Sequence, residues 1–114
     1  MRLPLQVSFR NLHPSEFLEA KIREKAAKLE KVFDGITRCD VVVERPHHDQ
    51  RKGWMYHVRI DLTVPGGRIA VRGDDSHAHT DPRAAIRDAF DAAQRQLSDW
   101  IARKREVEAL EAAD

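Results

Sequence analysis

The stretch that decides the fold is YHVRIDLTVPGGRIAVRGDD, residues 56–75. Every second residue is apolar: Val58, Ile60, Leu62 and Val64 before the turn, then Ile69 and Val71 after it. A period of two predicts half-buried strands, and Val64-Pro65-Gly66-Gly67 places Pro and Gly at the second and third positions of a type II turn. The alternate positions hold His57, Arg59, Asp61 and Thr63, then Arg68 and Arg72. The stretch therefore predicts a hairpin that is apolar on one side and carries arginines on the other.

The register of this hairpin follows from its turn. A two-residue Pro65-Gly66 loop places Leu62 opposite Ile69 and Arg59 opposite Arg72. Like charges directly opposite each other are unfavourable unless something neutralises them. Two explanations stay open. Asp61 on the diagonal, with Asp74 opposite His57, is favoured, and a bound phosphate is the alternative.

The segments before the hairpin predict a strand, a helix and a second strand. Residues 3–9 alternate between apolar and polar, which is typical of a half-buried strand. Pro14 and Ser15 favour a helix start, and we expect Asp34-Gly35 to end that helix. The apolar stripe between them is Leu18, Ile22, Ala26, Leu29 and Phe33. Residues 37–45 alternate again and predict a second strand, with Cys39 as a core residue.

The segment after the hairpin predicts one long helix. Asp81 is the expected N-cap and Pro82 the first residue, and the helix is expected to run to about Arg105. Its apolar stripe is Ile86, Ala89, Phe90, Ala93, Leu97, Trp100 and Ile101. The order predicts an α+β fold, a β-α-β-β-β-α two-layer sandwich with both helices on one face of a four-stranded sheet. We expect a single domain over residues 1–105 and a helical extension or frayed tail over 106–114.

The composition bounds the function. The chain has 114 residues, a net charge of +1 and one cysteine, so we expect one domain, no general attraction to polyanions and no intrachain disulfide. The N-terminus lacks the apolar run of a signal peptide, and no stretch is apolar enough to span a membrane. We therefore expect a soluble cytoplasmic protein without a membrane partner. Neither a catalytic constellation nor a small-molecule site is evident, so an enzyme is not predicted.

Three sequence segments resemble one known family. They are AAKLEKVFDGI at residues 26–36, TVPGGRIAV at 63–71 and AIRDAFDAAQRQL at 85–97. In this order they are similar to segments of the ribosome hibernation-promoting factors and ribosome-associated translation inhibitors, also called sigma modulation proteins. The resemblance covers about residues 5–103. It implies a fold similar to double-stranded-RNA-binding domains.

The resemblance also implies a function and a partner. A member of this family would bind small-subunit rRNA in the channel used by mRNA and tRNA, and would silence idle ribosomes under stress or in stationary phase. It would need no cofactor and no metal, and the free protein would be monomeric. The chain ends at Asp114, so we expect it to lack the C-terminal dimerisation domain of longer relatives and not to drive ribosome pairing by itself.

The first helix carries the main candidate RNA contacts. At 100° per residue, Lys21, Lys25 and Lys28 lie within about 60° of one another along one edge of the apolar stripe, and Lys31 follows them. They match basic or polar positions of the family's first helix, which implies contacts to the phosphate backbone. A solvated lysine row over the edge of the core is the alternative interpretation.

The second helix gives a mixed signal. Arg95 matches a basic position of the family, whereas Ala92 and Asp99 stand where relatives usually have lysine or another basic residue. Arg103 and Lys104 add charge near the expected helix end, where they could equally pair with the helix dipole. The departures predict weaker or differently oriented rRNA contact. They also keep open an alternative function, a regulatory protein-interaction module of the same fold that has lost ribosome binding.

Secondary RNA-binding candidates lie on the hairpin and in the loop before it. They are Arg59, Arg72, His47, His48, Arg51 and Lys52. His77 and His79 in the next loop invite a metal site together with His47 and His48, but no spaced Cys/His pairs accompany them. Loops that contact RNA or are merely solvated are favoured over a metal site.

Overall fold

The computed structural model describes residues 4–45, 55–72 and 81–112. The elements are β1 (Leu5–Arg10), α1 (Glu16–Val32), β2 (Arg38–Glu44), β3 (His57–Val64), β4 (Gly67–Val71) and α2 (Pro82–Ala112). The strands form one sheet in the order β1-β2-β3-β4. β1 and β2 are parallel and α1 connects them, whereas the β2–β3 and β3–β4 pairs are antiparallel. The predicted α+β order and the four-stranded sheet are confirmed.

The hairpin has the predicted register. Leu62 pairs with Ile69, and Ile60 pairs with Val71. Gly66 has a φ of 83°, which the third position of a type II turn requires. The apolar residues of β2, β3 and β4 are buried in one core with α1 and α2, so both helices cover the apolar side of the sheet and the arginine side is open.

The helices begin as predicted. The Ser15 hydroxyl accepts a hydrogen bond from the Leu18 amide at 3.2 Å and caps α1. The Asp81 carboxylate accepts one from the Arg83 amide at 2.9 Å at the start of α2. The side chain and the amide of Arg83 both hydrogen-bond this carboxylate and lower the pKa of Asp81.

One predicted helix end is wrong in detail, and for the other the structure decides between two alternatives. Gly35 does not cap α1 in a left-handed conformation, because α1 ends at Val32 and the next residue, Phe33, has an extended φ of −153°. α2 does not stop near Arg105 but continues to Ala112. Its last residues are mostly Glu, Ala and Leu, which are strong helix formers. Of the two alternatives for residues 106–114, the helical extension is thus present to Ala112.

Candidate nucleic-acid interface

The lysine row of α1, defined as Lys21, Lys25 and Lys28, lies along one edge of the buried stripe. Lys21 and Lys28 are exposed, and Lys25 is half-buried. The row spans about 10 Å along the helix axis at 1.5 Å per residue. Lys31 is exposed as well and lies about 60° further around the helix. The predicted placement of three lysines on one side of α1 agrees with this helix.

Acidic neighbours leave most of this charge available. Lys28 Nζ lies 4.0 Å from Glu24 Oε1, and both side chains are more than half exposed, so this pair contributes little. Glu19 instead binds Arg23 at 2.8 Å, away from the row. Among the described residues, Lys25 and Lys31 have no ion pair within 4 Å. The row is therefore a cationic edge that is only weakly neutralised.

Two large apolar side chains share this side of α1. Phe17 is 57% exposed and Val32 is 40% exposed, and helical spacing places both within about 40° of Lys21. Lys21 Nζ lies 5.9 Å from the centre of the Phe17 ring. Exposed aromatic rings among cations are typical of surfaces that stack unpaired bases. The sequence prediction assigned no role to Phe17 and Val32, although helical spacing alone would have placed them beside the lysines.

Arg103 and Lys104 lie beside Trp100, where α2 passes the hairpin turn. Lys104 Nζ is 5.0 Å from the centre of the Trp100 ring, and Arg103 Nε donates to the Asp99 carbonyl at 3.4 Å. A groove of about 750 Å³ runs between these residues, Val107 and the turn at Pro65 and Gly66. Since α2 continues to Ala112, both cations are too far inside the helix to pair with its C-terminal dipole.

Arg95 lies apart from Lys104. It is exposed in a shallow depression of about 450 Å³ that Asp91 and Asp99 also line, one turn to either side. At 100° per residue, Arg95 and Lys104 point about 180° apart around α2. Ala92 is half-buried and packs against the core. The second helix therefore does not bring its candidate RNA contacts onto one face.

The remaining candidates divide between the sheet and the undescribed segments. Arg59 and Arg72 line one pocket on the open side of the sheet, and Arg59 Nε lies 3.4 Å from Asp61 Oδ2. This ion pair agrees with one part of the favoured explanation; the other part, Asp74 opposite His57, falls outside the described residues. His47, His48, Arg51 and Lys52 lie outside the described residues, as do Asp74, His77 and His79.

The described part of the chain shows neither a metal-binding cluster nor a membrane-spanning helix. No cluster of three or more His, Cys, Asp and Glu side chains there is arranged to hold a metal ion. None of its helices combines the length and the apolar character that a membrane span needs.

A family model matches residues 5–105, and its description is sigma 54 modulation protein / S30EA ribosomal protein. The chain belongs to this family. The match covers every strand and the packed part of α2, and it confirms the resemblance drawn from the three sequence segments.

A curated relative and solved structures are similar to this sigma 54 modulation family member. A ribosome hibernation promotion factor of Deinococcus radiodurans is 34% identical over 94 residues, which are 81% of this chain and 46% of the relative. The chain thus spans about half the length of this curated relative. A ribosomal subunit interface protein of Coxiella burnetii superimposes with a TM-score of 0.72 at 15% identity, and the N-terminal domain of Thermus thermophilus Protein Y with 0.69 at 24%. Each covers 88% of this chain and 99% of the solved one, and both confirm the fold.

Proposed function

We propose that the protein is a ribosome-associated translation regulator that binds small-subunit rRNA in the mRNA and tRNA channel and silences idle ribosomes. The family match and the hibernation factor of Deinococcus radiodurans support this role. The observation that carries it is the weakly neutralised lysine row of α1. A chain with a net charge of only +1 needs its positive charge gathered on one surface to bind RNA.

The proposed mechanism is occupancy, without a chemical step. Each lysine of the row contacts a phosphate, and the release of condensed counterions supplies the binding free energy. A flexible ammonium group carries little sequence information, so these contacts position the protein rather than read bases. Phe17, exposed at the start of the row, contributes by stacking on an unpaired base. A cytoplasmic, monomeric free protein fits this mechanism.

Cosedimentation with purified small subunits at two salt concentrations tests the proposal. Wild-type protein binds at low salt and is released progressively as the salt concentration rises. Lys25→Ala with Lys28→Ala weakens binding, whereas the control Arg59→Ala with Arg72→Ala removes the same charge from the open sheet and has a smaller effect. If the control pair abolishes binding and the lysine pair leaves it intact, the helical surface is the wrong one.

A second candidate function rests on α2. Asp91 and Asp99 flank Arg95, and Ala92 packs inward, so this helix offers little net positive charge. A regulatory protein-interaction module without ribosome binding would follow from such a surface. Absence of cosedimentation at near-physiological salt, with the folded protein confirmed by circular dichroism, would favour this second function.

A further inference from the structure

The open side of the sheet carries a small pocket with three arginines. The strand register brings its residues together: Arg10 of β1 pairs with Glu44 of β2, and Glu44 pairs with His57 of β3. The next row along places Arg59 opposite Val42. These residues, together with Val58 and Arg72, line a pocket of about 190 Å³.

The charges of the described residues around the pocket do not cancel. Arg59 binds Asp61 at 3.4 Å, and Glu44 is the one carboxylate among the described lining residues. Among the described residues, Arg10 and Arg72 form no ion pair within 4 Å. Arginines that share one small pocket repel each other unless an anion lies between them. The described residues around the pocket therefore carry an excess of positive charge, which favours an anionic ligand.

We propose that this pocket binds a phosphoryl group. Guanidinium groups match the geometry of phosphate oxygens and donate paired hydrogen bonds to them. The volume equals that of about six water molecules, which suits a phosphoryl group with part of its hydration. It lies below the roughly 300–1,000 Å³ of pockets for whole small molecules. The ligand is thus the phosphoryl end of a larger molecule or free phosphate.

This site is distinct from the proposed rRNA surface. The helices cover the apolar side of the sheet, and the pocket opens on the other side. The protein would then hold a second phosphate-bearing ligand while α1 contacts rRNA. The inference does not depend on ribosome binding, because free phosphate and short RNA suffice to test it.

A titration of the isotope-labelled protein with inorganic phosphate, followed by its amide chemical shifts, provides the test. The titration is done at about pH 8 because phosphate is mostly a dianion at that pH. We expect saturable shifts at Val42, Val58 and Arg59. Arg59→Ala with Arg72→Ala should raise the half-saturation concentration about tenfold or more, since charged hydrogen bonds are lost. The matched control is Arg38→Ala with Arg68→Ala, which removes two exposed arginines at the other end of the same open side. This control should change the half-saturation concentration for phosphate less than about twofold.

Two further arms identify the source of the phosphoryl group and check the electrostatics. The protein is titrated with one short RNA that carries either a 5′-phosphate or a 5′-hydroxyl end. If the pocket takes a terminal phosphate, only the first RNA binds there. If it takes a backbone phosphate, both RNAs bind. Either result supports the proposed phosphoryl site if Arg59→Ala with Arg72→Ala abolishes the binding of the RNA. Glu44→Gln, which removes the carboxylate from the lining, should tighten phosphate binding. Absent shifts in this region, or equal losses in both double variants, would overturn the proposal.

Discussion

Phe33 and Trp100 meet edge to face, with ring centroids 5.6 Å apart and an angle of 61° between the ring planes. This contact joins the residue that follows α1 to the part of α2 that passes the hairpin turn. Gly35 leaves room for it, because a Cβ at Gly35 would lie 2.3 Å from Phe33 Cζ. The glycine is therefore needed for its small size and not for a left-handed backbone.

We expect Gly35→Ala to displace the Phe33 ring from Trp100. The misfit should lower the free energy of unfolding by about 1–3 kcal/mol, measured by urea denaturation. A double-mutant cycle with Phe33→Leu identifies the cause, since Gly35→Ala should cost much less once the ring is gone. An undiminished cost in that background would place the strain elsewhere.

Leu97→Ala should be strongly destabilising. Leu97 is fully buried in the core that α2 shares with α1 and the sheet, so truncation removes apolar contacts and leaves a cavity. We expect a loss of about 2–5 kcal/mol in the same denaturation assay. Leu110→Ala is the matched control, because Leu110 is 65% exposed on the same helix and its truncation should change stability by less than about 0.5 kcal/mol. A loss well under 1 kcal/mol at Leu97, of the order seen for exposed sites, would show that it is not packed as described.

Stability should fall in alkaline solution because of Cys39. Burial, followed by the charges of Asp40 and Asp61, raises the pKa of this thiol from 9.0 to about 12. Above the ordinary pKa the unfolded chain loses the thiol proton while the folded chain keeps it. The contribution of the protonated thiol to the free energy of unfolding is therefore complete below about pH 9. It is lost as the pH rises toward about 12, at a slope of up to about 1.4 kcal/mol per pH unit.

The variant Cys39→Ala separates this effect from other titrations. It lowers the starting stability by creating a small cavity, but its stability should decline less steeply in the alkaline range. The wild-type thiol should also react with disulfide reagents only as fast as the protein opens, since the buried neutral thiol is a poor nucleophile. Equal alkaline slopes in the two proteins would contradict the assignment.

The sequence predicted the sheet better than the ends of the helices. Pro65 and Gly66 define the turn locally, so the pairing of Leu62 with Ile69 followed without knowledge of the rest of the chain. At the end of α1, Phe33 contacts Trp100, which is distant in sequence, so local signals alone did not indicate how this end is packed. Residues 106–112 have helix propensity but are exposed, so the sequence could not decide between helix and frayed tail.

The candidate RNA surface was predictable only in part. The lysine row follows from helical spacing alone, and the structure keeps it. The separation of Arg95 from Lys104 also follows from helical spacing. The family comparison, however, matched basic residues position by position and did not compare their angles around α2. The pocket with Arg10 needs the parallel pairing of β1 with β2, which the hairpin could not indicate.

The salt dependence of small-subunit binding should reveal how many lysines contact phosphate. If Lys25 and Lys28 each neutralise one phosphate, Lys25→Ala with Lys28→Ala should flatten the slope of log affinity against log salt by about two units. Phe17→Ala should weaken binding at every salt concentration and leave the slope unchanged, because stacking on a base releases no counterions. A slope that stays constant in the lysine variant would mean that these side chains remain solvated beside the core and that another surface holds the rRNA.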